Sequence, residues 1–468
     1  MSGSPKSRAP NTMAQSEPST PPYLSSYLAS FAAFEANGAS SNPDWLKRLR
    51  KQAIADFERD GFPVARRGNE LWKYTDVRPL AAQAFELAKP NGHEQIDFTP
   101  YDLPCPRVHQ LVFVDGHYAA DLSTEPPSQA EHEAETIGHR SEGLIVGRLA
   151  EAVQEGLPLV QEHLAGHASA GAFGALNTAF VEDGALVYIP DGVRVHEPIY
   201  LLFITTGRAP AVTHPRVLIV AGKHSRATIV QGYESLMETP EAYFTNAVTE
   251  IVTRPGSTVR HYKLQREAAS AYHVAGTHAR LGRDSRLASV TLDLGGGLVR
   301  NDLAITLAEP GASVSLDGLY LADGAQHVDN HTWVDHAVPN TSSNQVYKGI
   351  MREASHGVFV GEILVRPNAQ RSSAHQTNKN LVLSDTAEVD SQPKLQIFAD
   401  DVQCTHGAAV GRLDPNAVFY LNSRGLDAKQ AQELLIRGFV SEVSEAIEHD
   451  AIRQYTDHAI SAKLGQEA

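Results

Sequence analysis

Cysteine is scarce in this chain. Only Cys105 and Cys404 occur among 468 residues, and they lie far apart. Such a pair cannot form a disulfide framework, and without a C-x-x-C pattern the sequence has no zinc-finger or dithiol redox motif. So few cysteines are typical of a protein from a reducing compartment. Cys105 lies between two prolines, and we interpret it as structural.

Long apolar runs and basic clusters are missing as well. No run reaches the 18 apolar residues of a transmembrane helix. Residues 1–22 are rich in Ser, Pro and Ala and lack the apolar core of a signal peptide, so we expect a disordered tail and a cytoplasmic protein. The 40 basic and 55 acidic residues give a formal net charge of −15. This balance disfavours a general nucleic-acid binder, which needs clustered cations.

Several catalytic motifs are absent too. The sequence contains no G-x-x-x-x-G-K-[ST], no G-x-S-x-G and no H-E-x-x-H. The chain is therefore not expected to bind ATP through a P-loop, nor to carry a nucleophile elbow or that zinc site.

Composition divides the rest of the chain into three parts. Residues 23–104 favour a small, mostly helical domain. It has one helix over Tyr23–Ala36 and another starting near Pro43, which Ser41 or Asn42 would cap. Residues 105–412 favour β-structure, and residues 413–468 return to helical spacing.

The β-region shows a weak repeat. Turn segments beginning at Gly222, Pro255, Gly282 and Pro310 each lead into a strand-like run, as does one at Ser384. Their spacing, on the order of 30 residues, is typical of stacked repeats. Only Leu144–His163 has helical spacing here. We predict a β-helix or another stacked β-solenoid, with a pair of β-sandwiches as the alternative.

The C-terminal part predicts an amphipathic helix. Asp427 is a good N-cap, and apolar residues follow mostly at three- and four-residue steps. The resulting stripe either faces the β-domain or docks a partner; it comprises Ala431, Leu434, Leu435, Phe439, Val443 and Ile447.

Three polar segments are candidate sites. In a strand over residues 327–336, the side chains of His327, Asp329, His331 and Asp335 would share one face and could ligate iron, zinc or manganese. The other reading is a solvated polar face whose Val328 and Val334 point inward. The polar run Gln370–Asn380 suits amide ladders between stacked coils or a site.

Cys404 and His406, two residues apart, would also share a strand face, and an imidazolium beside the thiol would lower its pKa. One Cys and one His supply at most half of a tetrahedral site, so a second chain would have to supply the rest. The other reading is a buried thiol beside a surface histidine.

Long stretches of the sequence resemble the SufB/SufD family. The similarity spans roughly residues 70–450, and within the family the SufD branch is the better match because of Cys404-Thr-His-Gly and Asn69-Glu-Leu-Trp-Lys-Tyr-Thr. The other matching segments are Asp329-Asn-His-Thr, Ser343-Asn-Gln-Val-Tyr-Lys-Gly, Arg366-Pro, His375-Gln-Thr-Asn-Lys-Asn-Leu, Leu383-Ser-Asp, Ala399 to Gly411 and Phe419-Tyr-Leu-Asn-Ser-Arg-Gly-Leu. Thr405 is a mild departure from the SufD form, which has serine there.

This resemblance implies a right-handed parallel β-helix flanked by N-terminal and C-terminal helical domains. It implies a non-enzymatic subunit of the SUF iron–sulfur cluster assembly complex, paired with a SufB-like sister through the last β-helix strands. It also implies a SufC-like ABC ATPase docked on the C-terminal helices, and no permanently bound cofactor. A transient iron or nascent cluster would form at the SufB interface, with His406 as this subunit's contribution and Cys404 beside it. A homodimer in isolation stays open.

Two enzyme readings remain as alternatives. A β-helix can process polysaccharides, with Asp329 and Asp335 as acids, and activity of the isolated chain on acidic glycans would support that reading. A stand-alone iron or zinc enzyme would use His327, His331 and His336, and stoichiometric metal in the monomer would support it.

Overall fold

The computed structural model describes residues 21–37, 42–65, 68–90, 97–105, 107–124, 143–166, 171–207, 210–236 and 241–465. Nearly all of the predicted tail lies outside these ranges. No helix in the described ranges combines the length and apolar character needed to cross a bilayer.

Helices α1 (Pro22–Asn37), α2 (Asp44–Asp60) and α3 (Arg78–Ala81) form the N-terminal part. The first two were predicted, but the side-chain cap of α2 predicted at Asn42 was wrong; Ser41, the other predicted cap, lies outside the described residues. Pro43 occupies the N-cap position, and no side chain there bonds the first turn. Phe57 of α2 packs among aromatic rings of α1 and of the following loop, because α2 buries its apolar face.

The segment before the solenoid mixes short strands and helices. It contains β1 (Glu86–Leu87), β2 (His109–Val114), β3 (His117–Tyr118), β4 (Ile145–Arg148), α4 (Leu149–Gln154), α5 (Pro158–His163) and α6 (Ala172–Ala179). The predicted helical stretch 144–163 is thus a strand followed by two short helices. The buried helix α6 was not predicted, and it packs against α2.

The centre of the molecule is a parallel β-solenoid. Its strands alternate between two sheets, and each pairs in parallel with the strand one coil away, as the repeat predicted. This pairing excludes the β-sandwich alternative. One sheet contains β5 (Ala185–Ile189), β7 (Ala211–Thr213), β8 (Arg216–Ala221), β10 (Tyr243–Thr253), β12 (Ala271–Leu281), β14 (Leu298–Leu307), β16 (His327–His336), β18 (His356–Val365) and β20 (Glu388–Ile397). The other contains β6 (Ile199–Thr205), β9 (Arg226–Ser235), β11 (Thr258–Arg266), β13 (Arg286–Asp293), β15 (Ser313–Ala322), β17 (Ser342–Met351), β19 (Ser372–Val382) and β21 (Val402–Gly411).

Four of the predicted turns stack at one corner of the solenoid, between the first sheet and the second. Buried serines at this corner repeat the same bond: Ser225 and Ser285 each donate a hydrogen bond to the carbonyl three residues before them. The segment at Ser384 lies at the opposite corner, between β19 and β20. It therefore belongs to a different column of turns from the one that the sequence suggested.

The interior of the solenoid is partly polar. Asn301 donates hydrogen bonds to Asp293 and Asn330 at 2.9 and 3.0 Å, and Lys263 lies 3.7 Å from Asp293. Nearer the C-terminal end, Gln376 donates to the Gln345 side chain of the preceding coil at 3.4 Å, and Asn378 donates to the Tyr347 carbonyl of that coil at 3.1 Å. The predicted amide ladder of Gln370–Asn380 is therefore present, and it satisfies polar groups that burial would otherwise penalise.

Gly349 on β17 gives a stability prediction. A Cβ atom there would lie 2.4 Å from the Tyr320 ring and 2.3 Å from the Asn380 amide oxygen. We expect Gly349→Ala to lower the free energy of unfolding by about 1–3 kcal/mol, because overpacking strains a well-filled interior. Urea denaturation measures the change. Gly407→Ala is the matched control, since a Cβ at Gly407 meets no atom within 4 Å. Equal stability of both variants would contradict the prediction.

Helices α7 (Pro415–Ser423), α8 (Ala428–Ser444) and α9 (Asp450–Lys463) follow the last strand. Asp427 caps α8 as predicted, and Gln430 completes a capping box. The helices α8 and α9 pack on the outer face of the second sheet, where Val443 and Ile447 are fully buried. Ile436 and Val440 also belong to this buried face and were not in the predicted stripe.

Candidate functional site

The C-terminal end of the solenoid is open. Within the described chain, β20 pairs only with β18, and β21 pairs only with β19. An unpaired strand edge presents free backbone donors and acceptors, which can pair with another chain. The end coil thus presents unpaired strand edges on β20 and β21.

Cys404 and His406 lie on one face of β21, as strand alternation predicts. Their partners across the ladder are Ala374 and Gln376, which are buried in the interior of the solenoid. The two side chains therefore continue the column of interior residues at its open end. The His406 side chain is exposed, and Cys404 is half-buried against an apolar group that includes Leu395.

The environment of Cys404 differs from the prediction. Burial raises the pKa of its thiol, and a hydrogen bond involving the backbone of Ala374 opposes this only in part. We expected a neighbouring imidazolium to lower this pKa, but desolvation by the apolar neighbours outweighs any such effect. In the isolated chain Cys404 is therefore a thiol at neutral pH.

Apolar side chains surround this end of the molecule. Ile397 and Phe398 are 40% and 60% exposed, and Val410 is 53% exposed. Sequence reasoning missed them because apolar residues in a strand usually indicate a buried face. Exposed side chains of this size at an open end are typical of a protein–protein interface.

The side chains on the face of β16 that was predicted to bind metal form hydrogen bonds and ion pairs with other residues of the chain. Asp329 accepts a 2.6 Å hydrogen bond from Arg300 and lies 3.0 Å from His331. Thr75 of the N-terminal part also donates to Asp329 and contacts His327 at 2.9 Å. Burial opposes ionisation of Asp329, but these charges and hydrogen bonds outweigh it and hold the pKa well below its usual range. This carboxylate is therefore an anchor for the N-terminal segment.

The remaining candidates on β16 have separate partners. Asp335 forms a bidentate ion pair with Arg366, at 2.6 and 2.9 Å. His336 lies on the opposite, interior face, where it contacts the Thr341 and Ser343 hydroxyl groups and burial lowers its pKa to about 4. No group of three His, Cys, Asp or Glu residues suited to a metal occurs in the part of the chain that the structure describes.

These positions support neither enzyme reading. His336 cannot join His327 and His331, because the strand separates their faces. Asp329 and Asp335 lie six residues apart on one strand, roughly 20 Å. Paired glycosidase carboxylates are about 5–10 Å apart, and Asp329 stays ionised, so it cannot serve as a general acid.

Comparison with known families identifies the chain. Residues 23–201 match the model of the SufBD protein N-terminal region. Residues 203–439 match the model described as the SufBD core domain of SUF-system FeS cluster assembly. The chain belongs to the SufBD family.

Relatives of this SufBD protein match along most of its length. An iron–sulfur cluster assembly SufBD family protein of Synechocystis is 31% identical, over 86% of this chain and 91% of the relative. The SufD protein of Escherichia coli is 29% identical, over 92% and 94%. The SufD protein of Bacillus subtilis is 29% identical, over 62% and 66%. This SufBD chain therefore takes part in SUF iron–sulfur cluster assembly, and nothing supports the enzyme readings.

The fold of the SufBD chain buries some residues of the predicted docking stripe and leaves others exposed. Val443 and Ile447 are fully buried against the solenoid, so they are unavailable to a partner in this conformation. Leu434 is 50% exposed, while Leu435 and Phe439 are half-buried. The Lys348 ammonium group donates to the Phe439 carbonyl at 2.7 Å, which fixes this part of α8 on the sheet.

Proposed function

We propose that this chain is a non-catalytic, cytosolic scaffold subunit that forms half of a cluster-assembly site with a SufB-like sister. The observation that carries this proposal is the position of Cys404 and His406 at the open end of the solenoid. There they would supply one sulfur and one imidazole ligand beside an unpaired strand edge. A tetrahedral iron site needs further ligands, which a strand of the sister subunit would bring.

The cluster is the substrate of this site. Iron would bind transiently at His406 while sulfur arrives through the sister subunit, so that the nascent cluster is shared between the two chains. The exposed Phe398 and Val410 would be covered in the heterodimer, and the same faces could pair two copies of this chain in isolation.

A SufC-like ABC ATPase is the second proposed partner. It would contact exposed apolar side chains on two adjoining helices, namely Phe419 and Tyr420 on α7 and Leu434 on α8. Because α8 is held on the sheet by Lys348, movement of the ATPase would be transmitted to the solenoid. That movement would open the end coil and expose Cys404, whose thiol pKa would then fall toward its ordinary value.

Replacing His406 with alanine tests the proposal. We expect the variant to co-purify with the SufB-like and ATPase subunits at normal stoichiometry but to yield less cluster on reconstitution, measured by absorbance and by iron and sulfide content. The side chain is exposed, so its loss should not affect folding. His458→Ala is the matched control, because His458 on α9 is also an exposed histidine. A normal cluster yield in the His406 variant would remove this residue from the site.

A further inference from the structure

A basic groove lies on the second sheet, away from the cluster site. It has a volume of about 380 Å³, and its walls include Arg226, Arg260 and Arg286, with Thr258 and Gly256 between them. It lies beside the α8–α9 junction, where Glu448 forms an ion pair with Arg260. The proposed cluster-assembly role does not use this groove.

The β-ladder fixes the arrangement of these arginines. Thr258 pairs with Arg226 on one side and with Arg286 on the other, so the three side chains stand in one row across β9, β11 and β13. Neighbouring strands are about 4.8 Å apart, which places the two arginine backbones roughly 10 Å from each other. Arg260 lies on the same face two residues further along β11. Three guanidinium groups can therefore converge above the Thr258 hydroxyl.

The charges of this groove are incompletely neutralised. Arg226 and Arg286 are exposed, and neither forms an ion pair with any residue that the structure describes. The acidic side chains in the groove are Asp284 and Glu448, and Glu448 is engaged by Arg260. Arg226 and Arg286 both flank the neutral Thr258, so that neighbour supplies no counter-charge, although the protein as a whole has 55 acidic residues against 40 basic ones.

The adjoining turns add to the positive potential. Lys223, Arg254 and Arg283 lie in the same column of turns at this corner. Two nearby carboxylates are directed at backbone groups: Asp191 accepts from the Lys223 amide at 2.7 Å, and Glu309 accepts from the Arg283 amide at 3.0 Å. The corner thus presents more cationic than anionic side chains to solvent.

We propose that this groove binds a phosphate-bearing anion. Guanidinium groups match phosphate oxygens in a bidentate geometry, and arginine rather than lysine lines the groove. The lining offers no aromatic and no large aliphatic side chain, so the ligand is held by its charge and not by an apolar body. A compact di- or triphosphate fits this chemistry better than an amphipathic acidic peptide. Bound phosphate competes with Glu448 for Arg260.

Calorimetric titration of the full-length chain with pyrophosphate, at low ionic strength, tests the proposal. We expect saturable binding that weakens with salt, and an affinity loss of about tenfold for each arginine removed in Arg226→Gln/Arg286→Gln. Arg48→Gln/Arg280→Gln removes two exposed charges elsewhere and should bind as the wild type does. Glu448→Gln should bind more tightly, because it frees Arg260. A parallel titration with ADP shows which kind of phosphate the groove prefers. Tighter binding of ADP than of pyrophosphate indicates an organic phosphate, and equal or weaker binding indicates free phosphate.

Two outcomes would overturn the proposal. One is the absence of pyrophosphate binding by the wild-type chain. The other is unchanged affinity in the Arg226/Arg286 variant, with thermal unfolding showing that the variant is folded. Both arginines are exposed and without ion-pair partners in the described chain, so the variant is expected to fold normally.

Discussion

Asp329→Ala is expected to destabilise the protein by about 3 kcal/mol and to release the N-terminal segment from the solenoid. Removing one member of a buried ion pair typically costs about 3–5 kcal/mol, because the remaining charge stays buried without its partner. We expect the lower end of this range, since Arg300 keeps an ion pair with Asp302 at 2.7 Å. Urea denaturation measures the loss of stability.

Release of the N-terminal segment can be measured separately, by limited proteolysis. Arg300 also donates to the Leu71 carbonyl at 2.9 Å, and its guanidinium carbon lies 4.2 Å from the centre of the Trp72 ring. Thr75 donates directly to Asp329. Without the carboxylate, limited proteolysis should cut near these residues faster than in the wild type. Asp302→Ala is the matched control, because its carboxylate is 40% exposed and should cost much less.

The contribution of Asp329 also depends on pH. The pKa of this carboxyl is depressed in the folded state, so its stabilising effect is fully present above the unfolded value of about 3.9 and is lost as the pH falls below it. The stability difference between wild type and Asp329→Ala should therefore be constant near pH 7 and shrink below about pH 4. A difference that grows on acidification would contradict this assignment.

Local patterns predicted the solenoid because its repeating unit is local. Turn residues recur at one corner, and strand alternation predicted that His327, Asp329 and His331 share a face. The same rule places His336 on the other face, a consequence that the metal reading overlooked. The partners of these residues were not predictable, since Thr75 reaches Asp329 across 254 positions of sequence.

The polar interior was harder to predict. Alternation arguments assume that polar side chains face water, whereas Asn330 and Thr332 of β16 point inward and bond to other interior residues. Stacked coils place like residues above one another, so amides can satisfy each other inside. A single sequence identifies such a ladder only where the polar run is long, as in Gln370–Asn380.

The apolar stripe of α8 shows a different limit of prediction from sequence. Its spacing correctly indicated one apolar face, but spacing does not say what covers that face. The stripe divides because α8 turns Val443 towards the second sheet together with Ile436 and Val440, whereas Leu434 lies on the opposite side of the helix and is left exposed. The half-site proposed at Cys404 and His406 was suggested by their spacing alone, whereas the open strand edge beside them could be recognised only from the sheet order.

Glu250→Ala is expected to cost about 3–5 kcal/mol of unfolding free energy. Glu250 on β10 forms an ion pair with Arg216 on β8, and both side chains are fully buried. Arg216 also donates to Asn177 at 2.9 Å and to Thr178 at 3.2 Å, which fixes helix α6 on the sheet. Loss of the carboxylate leaves a buried guanidinium without its counter-charge. Urea denaturation of the variant measures this cost.

Replacing Arg216 and Glu250 together separates the effect of their charges from the effect of the volume that their side chains fill. Arg216→Met/Glu250→Leu removes both charges while keeping most of the buried volume, so it should be more stable than Glu250→Ala alone. Apolar side chains need no counter-charge, although Asn177 then loses the donor to its side-chain oxygen. If the double variant were less stable than Glu250→Ala, the stabilising effect of this pair would come from the hydrogen bonds of Arg216 to α6. A cost below about 1 kcal/mol for Glu250→Ala would mean that water reaches Arg216 in solution.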